Sequence, residues 1–162
     1  MHGKMLIAYF SASPSRRTEQ VAHRIADVIG ADLYEIVPTV PYTQEDLNWN
    51  NAQSRSSMEM RDPNSRPEIG SKLLDPALYR VIFVGFPIWW YVAPHIINTF
   101  LESYDLTGKT IIPFATSGGS SMGQTTVHLR HSAEGVVVKE GRRFDMGETP
   151  MAINSWIAAL GL

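Results

Sequence analysis

The chain has 162 residues, of which 44% are hydrophobic and 19% charged, a composition typical of one globular domain, so we expect a single domain over residues 1–162. Its formal net charge of −2 gives no electrostatic reason to expect nucleic acid or an anionic membrane as a partner. There is no cysteine, which excludes disulfides, thiolate metal sites, iron–sulfur clusters and cysteine nucleophiles.

The first predicted unit is a strand followed by a helix. Residues 5–10 are continuously apolar, which is typical of a strand buried on both faces of a parallel sheet. Apolar residues then recur at helical spacing over residues 18–29. Thr18 is predicted to be the N-cap of this helix, and Gly30 is predicted to end it.

A less regular stretch follows the first unit. Residues 33–37 are predicted to form the second strand. Residues 38–68 are rich in proline and polar side chains, and we interpret them as an excursion from the sheet, in which a helix within 43–60 begins at Thr43 as its cap. A loop is expected over the last part of the excursion, 62–67, and a short helix or turn over 71–79.

The alternation of strands and helices then resumes. Residues 80–86 give the clearest strand pattern, and Pro94 suits the first position of a helix that runs to residue 104. The remaining predicted elements are a strand over 110–115, a helix to about 132, a short fifth strand over 135–139, and a helix over 150–160 capped by Thr149. This order predicts an α/β fold, with a parallel sheet covered by helices on both faces.

We expect a cytoplasmic protein. No segment approaches the ~18 consecutive apolar residues of a membrane span, so no membrane span is predicted. Residues 1–4 lead directly into the first strand pattern, without the apolar region and cleavage site of a signal peptide.

The loop after the first strand is a candidate phosphate site. In open α/β sheets, ligands bind beyond the carboxyl ends of the strands, where the strand order reverses. A helix N-terminus offers free N–H groups and a positive dipole, and hydroxyl and guanidinium groups add donors. The alternative is a polar turn with two solvated arginines. The candidate ligands are Ser11, Ser13, Ser15, Arg16, Arg17 and Thr18.

The loop after the third strand, residues 85–94, is a candidate site for a flat ring. Three consecutive large aromatic residues are costly to leave in water, so they must pack on the core, on a partner or on a ligand. Consecutive residues point in different directions, which makes packing of all three on the core difficult. The candidate residues are Pro87, Ile88, Trp89, Trp90 and Tyr91.

The loop after the fourth strand is rich in glycine and serine, and glycine lets a backbone approach a ligand closely. The alternative is a flexible turn. The candidates are Thr116, Ser117, Gly118, Gly119, Ser120 and Gly123. One loop suits a phosphate, one suits a flat ring, and one suits the polar edge of that ring, so together the three loops indicate flavin mononucleotide (FMN).

The sequence resembles the flavodoxin-like FMN proteins. It is most similar to a branch with Gly-Tyr/Phe-Pro-x-Trp-Trp and Thr-x-Gly-Gly-Ser loops, matched here at residues 85–90 and 116–120. Residues 99–114, 41–43 and 66–69 also look like this branch. The resemblance implies a flavodoxin-like three-layer sandwich with a five-stranded parallel sheet in order 2-1-3-4-5.

The resemblance also implies roles for individual residues. Ser11, Ser13 and Thr18 would bind the phosphate. Pro87, Trp89 and Trp90 would border the isoalloxazine ring, with the backbone of residues 117–120 near its polar edge. One departure from the family pattern is clear: the first loop usually contains a glycine, whereas this chain has none there and carries Arg16 and Arg17 instead.

Other site types fit less well. Residues 119–123 match the G-x-S-x-G pattern of hydrolases, but no histidine follows Asp145, as that fold requires. His128 and His131 could share a metal on one helix face, but no third ligand is evident. A phosphoacceptor receiver domain needs acidic residues after strands one and three, which are absent here.

The expected function is redox chemistry through bound FMN. The chain would carry electrons between protein partners or reduce a small acceptor, and an NAD(P)H-dependent quinone-type reductase is an alternative. A flavin-free interaction module of the same fold is another. Residues 86–94 and 115–124 contain no Asp or Glu, and Arg16 and Arg17 lie near the expected phosphate, so we predict a less negative potential than in acidic flavodoxins.

Overall fold

A computed structural model describes residues 4–12, 14–72, 75–117, 122–144 and 149–162. The strands are β1 (Lys4–Tyr9), β2 (Asp32–Glu35), β3 (Tyr79–Pro87), β4 (Thr110–Thr116), β5 (Val137–Val138) and β6 (Arg142–Phe144). The helices are α1 (Arg17–Ile29), α2 (Arg55–Arg61), α3 (His95–Glu102), α4 (Thr125–Arg130) and α5 (Pro150–Ala159), and a 3-10 turn covers Pro76–Leu78.

The sheet has the strand order expected from the sequence. Its order is β2-β1-β3-β4-β5, with every pairing parallel, and β6 also pairs with β4. The single fifth strand predicted over 135–139 is therefore incomplete, because β5 and β6 divide the edge position between them. β5 pairs with the start of β4 and β6 with its end.

The break between β5 and β6 has a cause in β4. The carbonyls of Lys109 and Ile111 accept bonds from the edge strand, so Pro113, two residues further on, also faces that strand in a parallel ladder. Proline has no N–H to donate. At this point Gly141 passes so close that a Cβ on it would lie 2.5 Å from the Pro113 carbonyl oxygen.

Alternate residues of the central strands enter two separate cores, because successive side chains of a strand point to opposite faces. In β1, Leu6 and Ala8 pack on the side of α3 and α4. Ile7 and Tyr9 pack on the side of α1 and α5. The sheet is thus covered on both faces, and the predicted three-layer arrangement is confirmed. Within the described ranges, no helix is long and apolar enough to cross a membrane.

Several predicted helix boundaries were wrong. Thr18 is not the N-cap of α1: the capping position is Arg16, which has a left-handed φ of 54° and makes no side-chain cap bond. The expected helix over 43–60 is reduced to α2, capped by Ser54, whereas Thr43 and Asp46 bond each other's backbone N–H groups in an isolated turn. Pro94 precedes α3 instead of beginning it.

Other predicted boundaries are confirmed. Gly30 ends α1 in the left-handed conformation at φ 68°. Thr149 caps α5, its hydroxyl accepting a bond from the N–H of Ala152. Gly30 acts through its backbone conformation and Thr149 through a hydrogen bond from its side chain to a nearby N–H, and a short sequence pattern captures both local effects.

Candidate functional site

The three candidate loops meet at the carboxyl edge of the sheet, because β1, β3 and β4 are neighbours. Thr18 Oγ1, in the first turn of α1, is hydrogen-bonded to Thr116 Oγ1 at the end of β4, at 2.8 Å in a buried position. The N–H of Ile88 donates to the Thr116 carbonyl at 3.2 Å. The rings of Phe10 and Trp89 pack edge to face with centroids 5.8 Å apart. The fold therefore joins the loops by direct contacts.

The first loop presents two buried polar atoms that have no partner among the described residues: the Oγ of Ser11 and the Nε of Arg17. Ser11 lies two residues after the end of β1, and Arg17 begins α1. A buried donor without a partner costs free energy, roughly 1–3 kcal/mol, so the pair indicates a place for an anionic ligand. Ser15 is exposed, and Ser13 lies outside the described residues.

Arg16 has a different environment from Arg17. Its guanidinium is bonded to the carboxylates of Glu19 and Glu35, and Nη1 donates to the Ser11 carbonyl at 2.9 Å. Hydrogen bonding to Glu35 is the main cause that raises the pKa of Arg16. The side chain thus connects the loop to α1 and β2, and its two carboxylate partners more than neutralise its positive charge.

The second loop contains a tight reverse turn with left-handed residues. Trp90 and Tyr91 have φ values of 50° and 67°, and Trp89 and Val92 exchange backbone hydrogen bonds at 2.9 and 3.2 Å. A two-residue turn with positive φ at both positions normally carries Asn-Gly. Placing large aromatic residues there costs roughly 1–3 kcal/mol each, and such strain is concentrated at functional sites.

The side chains of the second loop divide between core and surface. Trp89 packs against Phe10 and Tyr42, and Ile88 also contacts the core. Trp90 and Tyr91 remain 46% and 63% exposed, whereas Pro87 ends β3 in a half-buried position. Packing on the core therefore accounts for the first aromatic residue, but leaves the other two available to a ligand or a partner.

A cavity of about 520 Å³ adjoins this turn. One wall is the aromatic loop, and the other comes from the excursion between β2 and β3. The lining side chains are Leu47, Trp49, Ser56, Ile88, Trp89, Trp90 and Tyr91, none of which is charged. Trp49 is 71% exposed, and the Oγ of Ser56 is buried without a partner in the described part of the chain.

The wall formed by Leu47, Trp49 and Ser56 was not predicted from the sequence. A tryptophan in an otherwise polar stretch was the available signal. The excursion is held in place by Arg55, whose guanidinium lies 3.8 Å from the centre of the Tyr42 ring and whose Nε pairs with Glu59 at 2.9 Å. Burial is the first cause that raises the pKa of Tyr42, followed by its hydrogen bond to Glu59.

The third loop approaches the second through Gly123. This residue has a φ of 54°, and a Cβ on it would lie 2.7 Å from the Tyr91 carbonyl oxygen. The same carbonyl accepts a bond from Thr125 Oγ1 at 3.4 Å. Thr116 ends β4 and is buried, and Ser117 follows it. Gly118, Gly119 and Ser120 lie outside the described residues.

The sequence model of the flavodoxin family matches residues 4–160. The chain belongs to the flavodoxin family. A crystal structure from Bacteroides eggerthii, of a protein assigned as a flavoprotein, is similar at 46% identity with a TM-score of 0.92, covering 99% of both chains. Another from Bacteroides uniformis has 45% identity and a TM-score of 0.90, covering 98% of this chain and 99% of the other.

A more distant structure is the flavoprotein from Lactobacillus acidophilus in complex with FMN, at 24% identity and a TM-score of 0.71, covering 87% of this chain and 93% of that one. At this identity the likeness shows the shared fold. No curated protein sequence matches the chain. Membership in the family makes the chain a flavin-binding redox protein with FMN as its cofactor.

The geometry of this flavodoxin-family chain fits both the phosphate and the flat ring of FMN. The unpartnered Ser11 Oγ and Arg17 Nε beside the N-terminus of α1 suit a phosphate, because helix N-termini favour anions. The uncharged aromatic walls around Trp89 and Trp90 suit a flat ring. Without a glycine in the first loop, the left-handed position falls on Arg16, whose two carboxylate partners hold it there.

Proposed function

We propose that this chain is an FMN-dependent reductase of a small, flat acceptor such as a quinone, with a nicotinamide cofactor as its electron donor. The main support is that the cavity of about 520 Å³, a volume within the range of small-molecule sites, extends beyond Trp89 and Trp90, which would border the flavin ring, to an outer wall at Leu47 and Trp49. Its walls are uncharged and largely aromatic, which favours a planar neutral molecule over a charged protein surface.

The residues proposed to hold FMN come from the family resemblance, and the Ser11 Oγ and Arg17 Nε, unpartnered among the described residues, support the phosphate part of the set. Ser11, Ser13, Thr18 and the Arg17 guanidinium would bind the phosphate. Pro87, Trp89 and Trp90 would border the ring, next to Ile88 and Tyr91. The backbone of residues 117–120 would lie near the polar edge of the ring, with Thr116 and Gly123 fixing that loop. Bound FMN supplies the transfer of one or two electrons.

The side chains of this protein would orient the reactants and exclude water. The bonds of Arg16 to Glu19, Glu35 and the Ser11 carbonyl preorganise the first loop, which lowers the cost of ordering it on binding. Trp49 and Leu47 form the outer wall of the cavity, so an acceptor would lie between this wall and the aromatic turn.

The charge distribution bears on the predicted redox potential. Arg16 is paired with two carboxylates, so the three groups together carry an excess of negative charge and Arg16 adds no net attraction for a nearby anion. Arg17 remains as the cation of the first loop. We therefore attribute the proposed, less negative potential mainly to the uncharged walls of the cavity, because a carboxylate near the ring would oppose its reduction.

A second candidate function is electron transfer to a protein partner. It is favoured by the exposure of Trp90 and Tyr91 at the tip of the turn, since adjacent exposed aromatic residues are enriched at protein interfaces. The flavin-free interaction module is disfavoured by the unpartnered buried Oγ of Ser11, which only a ligand or water would satisfy.

Absorption spectra of the purified chain, with and without added FMN, test cofactor binding directly. Steady-state assays with NADH or NADPH and a soluble quinone then test the reductase. Trp49→Ala is expected to raise the KM for the quinone about fivefold, since an aromatic contact contributes about 1 kcal/mol. Met151 is a similarly exposed side chain on α5. Met151→Ala is therefore the control and should leave the KM for the quinone unchanged.

The reductase proposal fails if the FMN-loaded chain shows no turnover with either nicotinamide cofactor and any small acceptor. Transfer of electrons from the dithionite-reduced protein to cytochrome c would then favour the carrier function. An equal response of the Trp49→Ala and Met151→Ala variants would remove the cavity from the proposal.

A further inference from the structure

The aromatic cavity continues into a groove that runs along α2. A second cavity of about 300 Å³ shares Trp49 and Trp90 with the first and extends to Met60 and Arg61. A third, of about 350 Å³, begins at Met60 and Arg61 and ends between α3 and α4. Because successive cavities share wall residues, they form one groove from the aromatic turn to the end of α2.

The length of the groove follows from helix geometry. Ser56 lines the first cavity and Arg61 the second and third. At a rise of 1.5 Å per residue, these two positions are about 7.5 Å apart along the helix axis. A ligand with a ring in the first cavity could thus place a group at Arg61 if that group is a few bonds away from the ring.

The far end of the groove is rich in hydrogen-bond donors and carries a net positive charge. The third cavity is lined by Arg61 and Arg66, by the imidazoles of His95, His128 and His131, and by a single carboxylate, Glu102. Arg66 pairs with Glu102 through two bonds of 2.8 and 3.1 Å. Arg61 makes no ion pair within the described part of the chain, and its charge therefore dominates this end.

The floor of the third cavity is built from a fixed network. Glu102 also accepts a bond from Ser132 Oγ at 2.6 Å, and Ser132 in turn accepts one from the Asn98 amide at 2.9 Å. Nδ1 of His95 is hydrogen-bonded to Ser65 Oγ at 2.6 Å. These bonds join the loop after α2 to α3 and to the end of α4, so the basic side chains stand on a preorganised surface.

The cluster suits an anion and not a metal cation. Three histidines line the cavity, but the described residues contain no group of three His, Cys, Asp or Glu side chains arranged to hold a metal ion. Two guanidinium groups at the same place would repel a cation. Arginine and neutral imidazole are suitable donors to phosphate oxygens.

We propose that this groove binds the nicotinamide dinucleotide, with its nicotinamide ring toward the aromatic cavity and its phosphates at Arg61 and the adjacent histidines. The inference rests on the proposed reductase function and assigns the site of its electron donor. A planar ring and a phosphate within one molecule match the two chemically different ends of the groove.

The test uses the full FMN-loaded chain and the variant Arg61→Gln. Calorimetric titrations with oxidised nicotinamide dinucleotide, with pyrophosphate and with inorganic phosphate measure binding without turnover. The variant is expected to weaken the binding of dinucleotide and pyrophosphate about tenfold, through loss of a charge-assisted hydrogen bond. It should raise the KM for NADH similarly while leaving kcat unchanged. Arg80→Gln, an exposed arginine at the opposite end of β3, is the matched control.

The inference is overturned if the wild-type chain binds neither dinucleotide nor pyrophosphate, or if Arg61→Gln and Arg80→Gln behave alike. It is also overturned if pyrophosphate or phosphate binds without displacing the dinucleotide, since the cluster would then be a separate anion site. Dinucleotide binding that depends on Arg61 but leads to no turnover would support the groove and refute the reductase, so the two failures are distinguishable.

Discussion

The substitution Gly123→Ala tests how closely the loops after β3 and β4 depend on each other. Gly123 has a φ of 54°, and an added Cβ would lie 2.7 Å from the Tyr91 carbonyl oxygen and 2.9 Å from its Cβ. A left-handed alanine costs roughly 1–2 kcal/mol, and overpacking adds about 1–3 kcal/mol. We expect a loss of about 2–5 kcal/mol in the free energy of unfolding.

Gly30→Ala is the matched control, because it separates the backbone term from the steric term. Gly30 has a φ of 68°, and no atom lies within 4 Å of the position of its Cβ. This variant should lose only the backbone contribution of about 1–2 kcal/mol and should keep its affinity for FMN. Gly123→Ala should weaken FMN binding as well, because relief of the clash displaces the turn at Trp90 and Tyr91.

The assays are urea unfolding of the FMN-free variants and fluorescence titration of each variant with FMN. Equal losses of stability in the two variants would refute the steric argument. Unchanged FMN affinity in Gly123→Ala would show that the position of the turn at Tyr91 does not govern the ring site.

Three further predictions concern the fold around the site. Gly85→Ala places a Cβ 2.1 Å from Phe114 Cζ, and we expect the free energy of unfolding, measured in urea, to fall by about 1–3 kcal/mol. The additional change Phe114→Leu should restore part of this loss. No restoration would contradict the contact. Thr18→Val breaks the buried bond to Thr116 and should lower the free energy of unfolding by about 1 kcal/mol. The double variant with Thr116→Val should lower it by less, because no unpaired hydroxyl remains. Additive losses would argue against the bond. Burial, followed by the charge of Arg66, lowers the pKa of His95 from its ordinary 6.5. The unfolded chain therefore binds more protons just below that pH, and stability should fall as the pH decreases through 6.5. In unfolding measurements at several pH values, with His128→Gln as the exposed control, His95→Gln should flatten this dependence, and an unchanged slope would refute the prediction.

The sheet and its order could be predicted because the relevant signals are local or come from the family resemblance. Continuous apolar runs such as 80–86 mark strands buried on both faces. Gly30 marks a helix end through its backbone conformation, and Thr149 marks a helix start through its capping side chain. The split of the edge strand could not be predicted in this way. It depends on Pro113 facing the edge position, which only the strand register reveals.

The candidate site was only partly predictable for the same reason. The aromatic run at residues 89–91 and the polar run at 11–18 are continuous in sequence, so both indicated a ligand. Trp49 and Ser56 reach the cavity from an excursion whose path is set by the contacts of Arg55 with Tyr42 and Glu59. Contacts of this kind between distant residues leave no periodic pattern.

The first loop shows most clearly how sequence and tertiary structure divide the information. From the order of residues alone, serine, threonine and arginine side chains follow a buried strand and precede a helix, so an anion would find donors there. Which arginine is available depends on the folded arrangement. Glu19 and Glu35 come together around Arg16, whereas Arg17 keeps a buried Nε without a partner in the described residues. The physical reason is that a charge is neutralised by its neighbours in space, and Glu35 becomes a neighbour of Arg16 only when β2 pairs with β1.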